Sequence, residues 1–350
     1  MQSQVGALGN PFVTPNGEVF FCDRENHRVR KILRTGQTVT IAGTGHYGYN
    51  GDDQPATQAQ LKSPVCVVVS SRNEVYISEA IGYRIRKILT NGNIVTVAGT
   101  GEGGYNGDGI PATEAQISAP FGIFVTEHDE LYIADHGNNR IRKVFNGIIT
   151  TVVDKVLGPS SVFVSKSNEI YICEYRGRKI TKVNANGTLS TIAGTGIAGY
   201  NGDGMLATSA QFNDPWVMTV ANDEVYIVDL GNNRIRKILK NGIISTIAGR
   251  GSAGYNGEEI LATNAPLNSP TGVFVTDSNE IYISEYYGCR IRKINSHGFI
   301  STIAGNGTKG YSGDVPFDFE KYPHIGPRKK QLIKPFPKSY LDISIQCQME

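Results

Sequence analysis

Short apolar runs alternate with polar gaps along most of this chain. GVFVT from Gly272, EIYIS from Glu280, RIRKI from Arg290 and FISTIA from Phe299 are each five or six residues long. The gaps between them read Asp277-Ser278-Asn279, Tyr286-Tyr287-Gly288 and Asn295-Ser296-His297-Gly298. β-Branched and aromatic residues suit a pleated strand, whereas Gly, Asn, Asp and Ser suit turns. The pattern predicts four antiparallel strands joined by tight turns. No segment is long and periodic enough for a core helix.

This unit recurs six times. Its signature reads VFFCDRENHRVRKI from Val19, VYISEAIGYRIRKI from Val75, LYIADHGNNRIRKV from Leu131, IYICEYRGRKITKV from Ile170, VYIVDLGNNRIRKI from Val225 and IYISEYYGCRIRKI from Ile281. Taking Arg28, Arg84, Arg140, Lys179, Arg234 and Arg290 as equivalent, the spacings are 56, 56, 39, 55 and 56. Six units of four short strands predict an all-β fold, a six-bladed β-propeller of four-stranded antiparallel blades. Radial closure hides most sheet edges, and neither a two-sheet sandwich nor a parallel solenoid accounts for the period. Residues 1–314 form the propeller on this reading, and residues 315–350, rich in Pro and Lys, form an extended or disordered tail.

Composition narrows the function classes. Glycine is 41 of 350 residues, as turn-rich repeats require, and charged residues are only 19%. The net charge of +2 lies in the tail, with six bases against four acids after Asp314, so the body is formally neutral. Neutrality argues against a nucleic-acid clamp. No apolar run spans a membrane. Five scattered cysteines give neither a disulfide framework nor zinc-ligand spacing. The start lacks signal-peptide character, which favours a cytoplasmic protein or a fragment of a longer secreted one.

The phrase YIADHGNNRIRKV from Tyr132 resembles the core of an NHL repeat. Long linkers strengthen the likeness: GTGHYGYNGDDQPATQAQLKSP from Gly43, GTGEGGYNGDGIPATEAQISAP from Gly99, GTGIAGYNGDGMLATSAQFNDP from Gly194 and GRGSAGYNGEEILATNAPLNSP from Gly249. This long-linker variety is similar to NHL-repeat proteins of bacteria and protists and to the teneurin NHL propeller. The resemblance implies the propeller fold; it says little of function, because one fold hosts many.

Candidate residues gather where linkers and the turns between second and third strands should share a face. The linkers carry Tyr49-Asn50-Gly51-Asp52, Tyr105-Asn106-Gly107-Asp108, Tyr200-Asn201-Gly202-Asp203, Tyr255-Asn256-Gly257-Glu258 and Tyr311-Ser312-Gly313-Asp314. Asn-Gly favours a tight turn with φ > 0 that presents a ring beside a carboxylate. Packing between blades and capping of the turn would account for the same residues. Thr57-x-x-Gln60, Thr113-x-x-Gln116 and Thr208-x-x-Gln211 have capping-box spacing, from which Thr263 followed by Pro266 departs. A second constellation pairs an acid ending strand two with a base five residues on: Asp23 with Arg28, Glu79 with Arg84, Asp135 with Arg140, Glu174 with Lys179, Asp229 with Arg234 and Glu285 with Arg290. These read as one structural salt bridge per blade; the alternative is a ring of carboxylates for a hard cation at the channel mouth. Third, the linker between blades three and four shrinks to Asp154-Lys155-Val156-Leu157-Gly158, leaving a notch at the rim beside Tyr175, Arg176, Arg178 and Lys179.

No catalytic constellation emerges. Of six histidines, only His27 and His136 fall in the turns of the linker face, and no triad converges for zinc. The inner strands carry no acid, only Asn10. The expected function is therefore a non-enzymatic module that offers the GYNGD loops and the notch to a protein, peptide or glycan, with nucleic acid disfavoured. No cofactor is expected, although the carboxylates leave room for one Ca or Zn ion. The alternatives are a metal-dependent hydrolase or lyase with its site at the channel mouth, and an RNA-binding NHL domain. Oligomeric state is open.

Overall fold

The computed structural model describes residues 3–184 and 186–314; the tail predicted as extended lies outside them. Six antiparallel sheets follow one another in chain order, one per repeat. Blade 1 comprises Phe12–Val13, Val19–Asp23, Arg28–Ile32 and Thr38–Ala42. Blade 2 comprises Pro64–Val69, Val75–Glu79, Arg84–Ile88 and Asn93–Ala98. Neighbouring inner strands lie side by side, and that of blade 1 meets that of blade 6, Pro270–Val275, so the ring closes. The core is partitioned between blades. Phe20, Cys22 and Val29 of blade 1, for instance, pack against Val67, Ile77 and Ile94 of blade 2.

Blades 2, 3 and 6 have five strands, not four. The extra strand is a piece of the incoming linker: Gln54–Pro55, Ile110–Pro111 and Ile260–Leu261 pair with the outer strands. Each long linker thus runs down the outside of the next blade before entering it. A 3-10 turn follows at Ala56–Gln58, Ala112–Glu114, Ala207–Ser209 and Ala262–Asn264. The capping box predicted there does not form, because the residue preceding each turn is Pro or Leu and makes no side-chain cap. The Asn of GYNGD staples the linker instead. Gln60, Gln116 and Gln211 each donate their N–H to Asn50, Asn106 and Asn201 Oδ1 at 2.8 Å. Pro266 has no N–H to give, which explains the departure of that copy.

The sixth linker is split between the two ends of the chain, a sharing that the contiguous repeats did not reveal. Residues 305–314 supply its first half and residues 3–10 its second. Gln4 N–H donates to Ser312 Oγ at 3.1 Å, as Gln60 does to Asn50. Val5 bridges Lys309, and Asp314 bridges Thr38 of blade 1. Arg30 of blade 1 donates to Asp314 from Nε at 2.9 Å and to the Gln4 carbonyl from Nη1 at 2.7 Å. One buried guanidinium ties both ends to the first blade.

Asp314→Ala is expected to cost about 1–3 kcal/mol, since Arg30 keeps Asp23 but loses its second carboxylate. Hydrogen exchange should show residues 3–10 and 305–314 opening in this variant. Asp108→Ala, which removes the same contact inside an unbroken linker, should leave both ends protected.

Candidate functional site

The third strand of each blade allocates its charges by the two-residue period of a β-strand. Arg28 and Arg30 of RVRK share one face, and Lys31 takes the other. On that other face the lysine meets a glutamate and an aromatic ring: Lys87 pairs with Glu74 at 2.6 Å and lies 5.1 Å from the Tyr76 ring centre. On the linker face the second arginine is the centrepiece. Arg30, Arg86, Arg142, Arg236 and Arg292 are 0–1% exposed. Each lies between the acid of its own blade and the acid of the incoming linker. Own-blade distances are 3.1 Å for Asp23, 3.6 Å for Glu79, Asp135 and Asp229, and 3.8 Å for Glu285. Linker distances are 2.5 Å for Asp314, 2.8 Å for Asp52, 2.9 Å for Asp108, 3.0 Å for Asp203 and 3.6 Å for Glu258.

The predicted acid–base pairs are therefore corrected by two residues. Asp23 and Arg28 stand opposite in register, as do the corresponding pairs of the other blades, but they form no ion pair. Each acid is instead drawn inward by a backbone N–H of the arriving chain. The donors are Gly6, Lys62, Ser118, Leu157, Asn213 and Asn268, at 2.5–2.8 Å. The first arginine goes to the linker tyrosine. Arg28, Arg84, Arg140, Arg234 and Arg290 lie 3.8–4.2 Å from the ring centres of Tyr311, Tyr49, Tyr105, Tyr200 and Tyr255. The second arginines lie 4.8–5.2 Å from the same rings. The linker acid also takes a threonine hydroxyl from the outer strand, at 3.1 Å in the case of Asp52 and Thr96. Tyr49, Asn50, Asp52 and their counterparts are thus spent on holding each linker to its blade. They leave one ring face to solvent, but they do not form a free ring of carboxylates. The acids ending strand two likewise do not line the channel.

Burial governs the titration of these acids. It pushes the Asp229 carboxyl up to about 6, against the pull of Asn232, the Asn213 N–H and Arg236. It pushes Glu285 up to about 7, against the Asn268 N–H and Arg292.

Within the channel, Phe12 and Phe274 meet at 5.1 Å and Phe124 and Phe163 at 4.9 Å between ring centres, beside a small apolar cavity of about 90 Å³. Asn10 points its Oδ1 into this cavity without a hydrogen-bond partner. Above it, on the linker face, opens a pocket of about 450 Å³. Its wall includes Trp216, Tyr175, Tyr286, Tyr287, Leu230 and Thr271, with Arg24 as its one charged residue. Trp216 packs edge-on against Phe121 at 4.8 Å and Tyr175 at 5.3 Å, and His136 packs against Phe121 at 4.7 Å. His136 is buried, its Nδ1 3.2 Å from the Pro159 carbonyl.

Sequence reasoning passed over this pocket. Most of its wall, Arg24, Tyr175, Leu230 and Tyr286 with Gly9, Val65, Trp216 and Thr271, comes from two positions of the repeat, each one step from an invariant-looking partner. One follows the acid: Arg24, Ala80, His136, Tyr175, Leu230 and Tyr286. The other lies just inside the inner strand: Gly9, Val65, Phe121, Ser160, Trp216 and Thr271. Both positions differ in nearly every unit while their neighbours repeat, and that divergence was the available signal. A cavity of about 440 Å³ opens at the short linker, lined by Lys155, Arg176 and Lys179 together with Glu174; of the residues expected beside it, Tyr175 turns to the mouth pocket instead and Arg178 does not line it. Among the described residues no group of three or more His, Cys, Asp and Glu side chains is arranged to hold a metal ion.

Fold and pocket together define a six-bladed β-propeller with an aromatic, nearly uncharged mouth. Its units resemble NHL repeats, and a family model described as the teneurin NHL domain matches residues 151–239. The chain is 29% identical over 151 residues to human teneurin-4, covering 39% of this chain and 5% of that protein. It is 27% identical over 135 residues to Protein SUPPRESSOR OF QUENCHING 1 of Arabidopsis thaliana, covering 36% of this chain and 13% of that one. It is 33% identical over 109 residues to NHL repeat-containing protein 2 of Gallus gallus, covering 31% and 14%. The matches span only a small part of these longer relatives. Among solved structures, an auxiliary nutrient binding protein from Bacteroides thetaiotaomicron superposes with a TM-score of 0.63 at 18% identity, over 85% of this chain and 70% of that one. The virginiamycin B lyase of Staphylococcus aureus superposes at 0.54 with 17% identity, over 87% of each chain. Both likenesses concern the fold alone.

In the unfolded chain Asp229 and Glu285 take ordinary carboxylate values near about 4. Between there and pH 7 the folded state holds protons that the unfolded state has released, so these two groups favour folding more as pH falls. Half-buried His27 and buried His136, whose imidazoles burial holds below their ordinary value, act in the opposite sense, so the test is the difference: lowering the pH from 7.5 to 5.5 should raise the urea midpoint of the native sequence relative to Glu285→Gln or Asp229→Asn.

Proposed function

We propose that this propeller is a binding module that seats a side chain or chain end of a protein, peptide or glycan in the aromatic pocket on its linker face. The observation that carries the reading is the contrast within the repeat. Positions that serve the scaffold recur from blade to blade, whereas the two positions that supply most of the pocket wall have diverged to Trp216, Tyr175, Tyr286 and Arg24. Aromatic residues and arginine in a partly desolvated concavity are the groups that dominate binding energy at protein interfaces. Tyr287, 71% exposed and stacked edge-on against Tyr286 at 4.9 Å, extends the aromatic surface beyond the rim. The GYNGD loops take the part of scaffold in this reading, which moves the contact surface inward from the ring of loops to the mouth.

Trp216 is the only tryptophan of the chain, so its emission reports this pocket directly. Peptide and glycan arrays probed with the whole chain should yield a ligand that shifts Trp216 emission. Tyr286→Ala and Arg24→Ala should each weaken it about tenfold or more. Asp203→Asn, in the scaffold, should lower the melting temperature without changing affinity. A ligand that is chemically altered on incubation would favour an enzyme, and one that binds with no change in Trp216 emission would move the site elsewhere.

A further inference from the structure

The gap between blades three and four is more than a missing loop. In four blades the outer-strand isoleucine opposite the end of strand three is fully covered: Ile94, Ile149, Ile244 and Ile300 are all 0% exposed. Their cover includes the alanines of the linker's 3-10 turn, such as Ala56 and Ala59 over Ile94 and Ala112 and Ala115 over Ile149. Leu189 holds the same register position in blade 4, opposite Val183, and is 50% exposed. Beside it, Leu157 is 56% exposed. The outer strand Leu189–Ala193 also lacks the short extra strand that caps blades 2, 3 and 6.

The clamp has changed with the cover. Thr181 stands where the other blades bury their second arginine, and its hydroxyl bonds to Glu174. A second bond to Glu174, from the Leu157 N–H at 2.7 Å, engages the other oxygen of that carboxylate. Three cations remain around the cavity: Lys155, Arg176 and Lys179. Among the described residues none of the three makes an ion pair. Lys155 adopts a left-handed backbone, φ 63°, on the exposed turn of the short linker. The place that a chain segment fills elsewhere is here a vacant groove with an apolar floor, an unpaired strand edge and a positive rim.

We propose that this groove docks an extended acidic segment of a partner protein, which adds to the edge of blade 4 as the linkers add to the other blades. Three observations select that occupant. The edge offers main-chain groups to a strand. Leu189 and Leu157 need small apolar side chains over them. The unpaired cations call for carboxylates. The chain's own linkers are of this kind: residues 101–116, GEGGYNGDGIPATEAQ, carry Glu102, Asp108 and Glu114 and no base. This inference concerns a site separate from the pocket and does not depend on its role.

A fluorescein-labelled peptide of that sequence is the probe, and anisotropy with the whole chain is the readout. Saturable binding below about 1 mM is expected. It should weaken about tenfold or more in Lys155→Glu/Arg176→Glu, and likewise in Leu189→Ser. It should be unchanged in Lys166→Glu, a charge reversal of the same kind away from the groove. A peptide with its three acids amidated should bind more weakly than the native sequence. Circular dichroism melts establish that each variant is folded. Absence of binding at that concentration overturns the proposal, as does undiminished, wild-type binding by either groove variant. Binding that shifts Trp216 emission and survives both changes overturns it too, by placing the peptide in the pocket.

Discussion

A guanidinium buried in the linker side of five of the six blades is the contact on which the rest depends. Removing a charge from water is expensive, and the expense is met only when geometry and hydrogen bonds are complete. Arg30 meets Asp23 from its own hairpin, Asp314 and the Ser312 carbonyl from the arriving linker, and the Tyr311 ring above. Three stretches of chain distant in sequence must therefore be in place together. The arrangement sets where the linker runs, which face its tyrosine turns to solvent, and how the next inner strand begins.

The same interaction closes the ring. Propellers must join last blade to first, and among the described residues the join is made neither by a shared sheet nor by a disulfide. It is made by Arg30, which binds Asp314 from one end of the described chain and the Gln4 carbonyl from the other. Blade 4 shows the converse. Where the linker lacks its acid and tyrosine, the arginine is replaced by Thr181 and the first base by Lys179. An arginine kept there without the linker would be a buried charge short of one partner, so the arginine goes with the linker's acid and tyrosine, while the strand-two acid, Glu174, stays and is held by Thr181 and the Leu157 N–H.

Once the clamp is understood as scaffold, the surface left for recognition changes. Aromatic rings that look available in the linkers already have cations against one face. Side chains that do not participate in the clamp gather at the channel mouth and in the blade-three/four gap. The two regions differ in chemistry: the mouth is aromatic with Arg24 as its charge, whereas the gap is aliphatic with a cationic rim.

Strand identity, blade number and the positions of the linkers were all legible in the sequence. They follow from local alternation of apolar residues and from a motif copied six times, and neither requires knowledge of distant contacts. The gap was legible as an interval of 39 where the others are 55 or 56. The acid of strand two and a base of strand three were rightly seen as a structural pair, but the partner was misplaced by two residues. Register puts Asp23 opposite Arg28, whereas the linker's N–H groups and tyrosine, arriving from the neighbouring unit, turn Asp23 toward Arg30 and Arg28 toward Tyr311. The pocket was illegible for the same reason. Trp216, Tyr175 and Tyr286 lie in different repeats, and only radial closure brings them to one mouth. Local pattern therefore decided which segments become strands, and the ring decided which side chains meet, because those meetings depend on distances across the axis that no single repeat encodes.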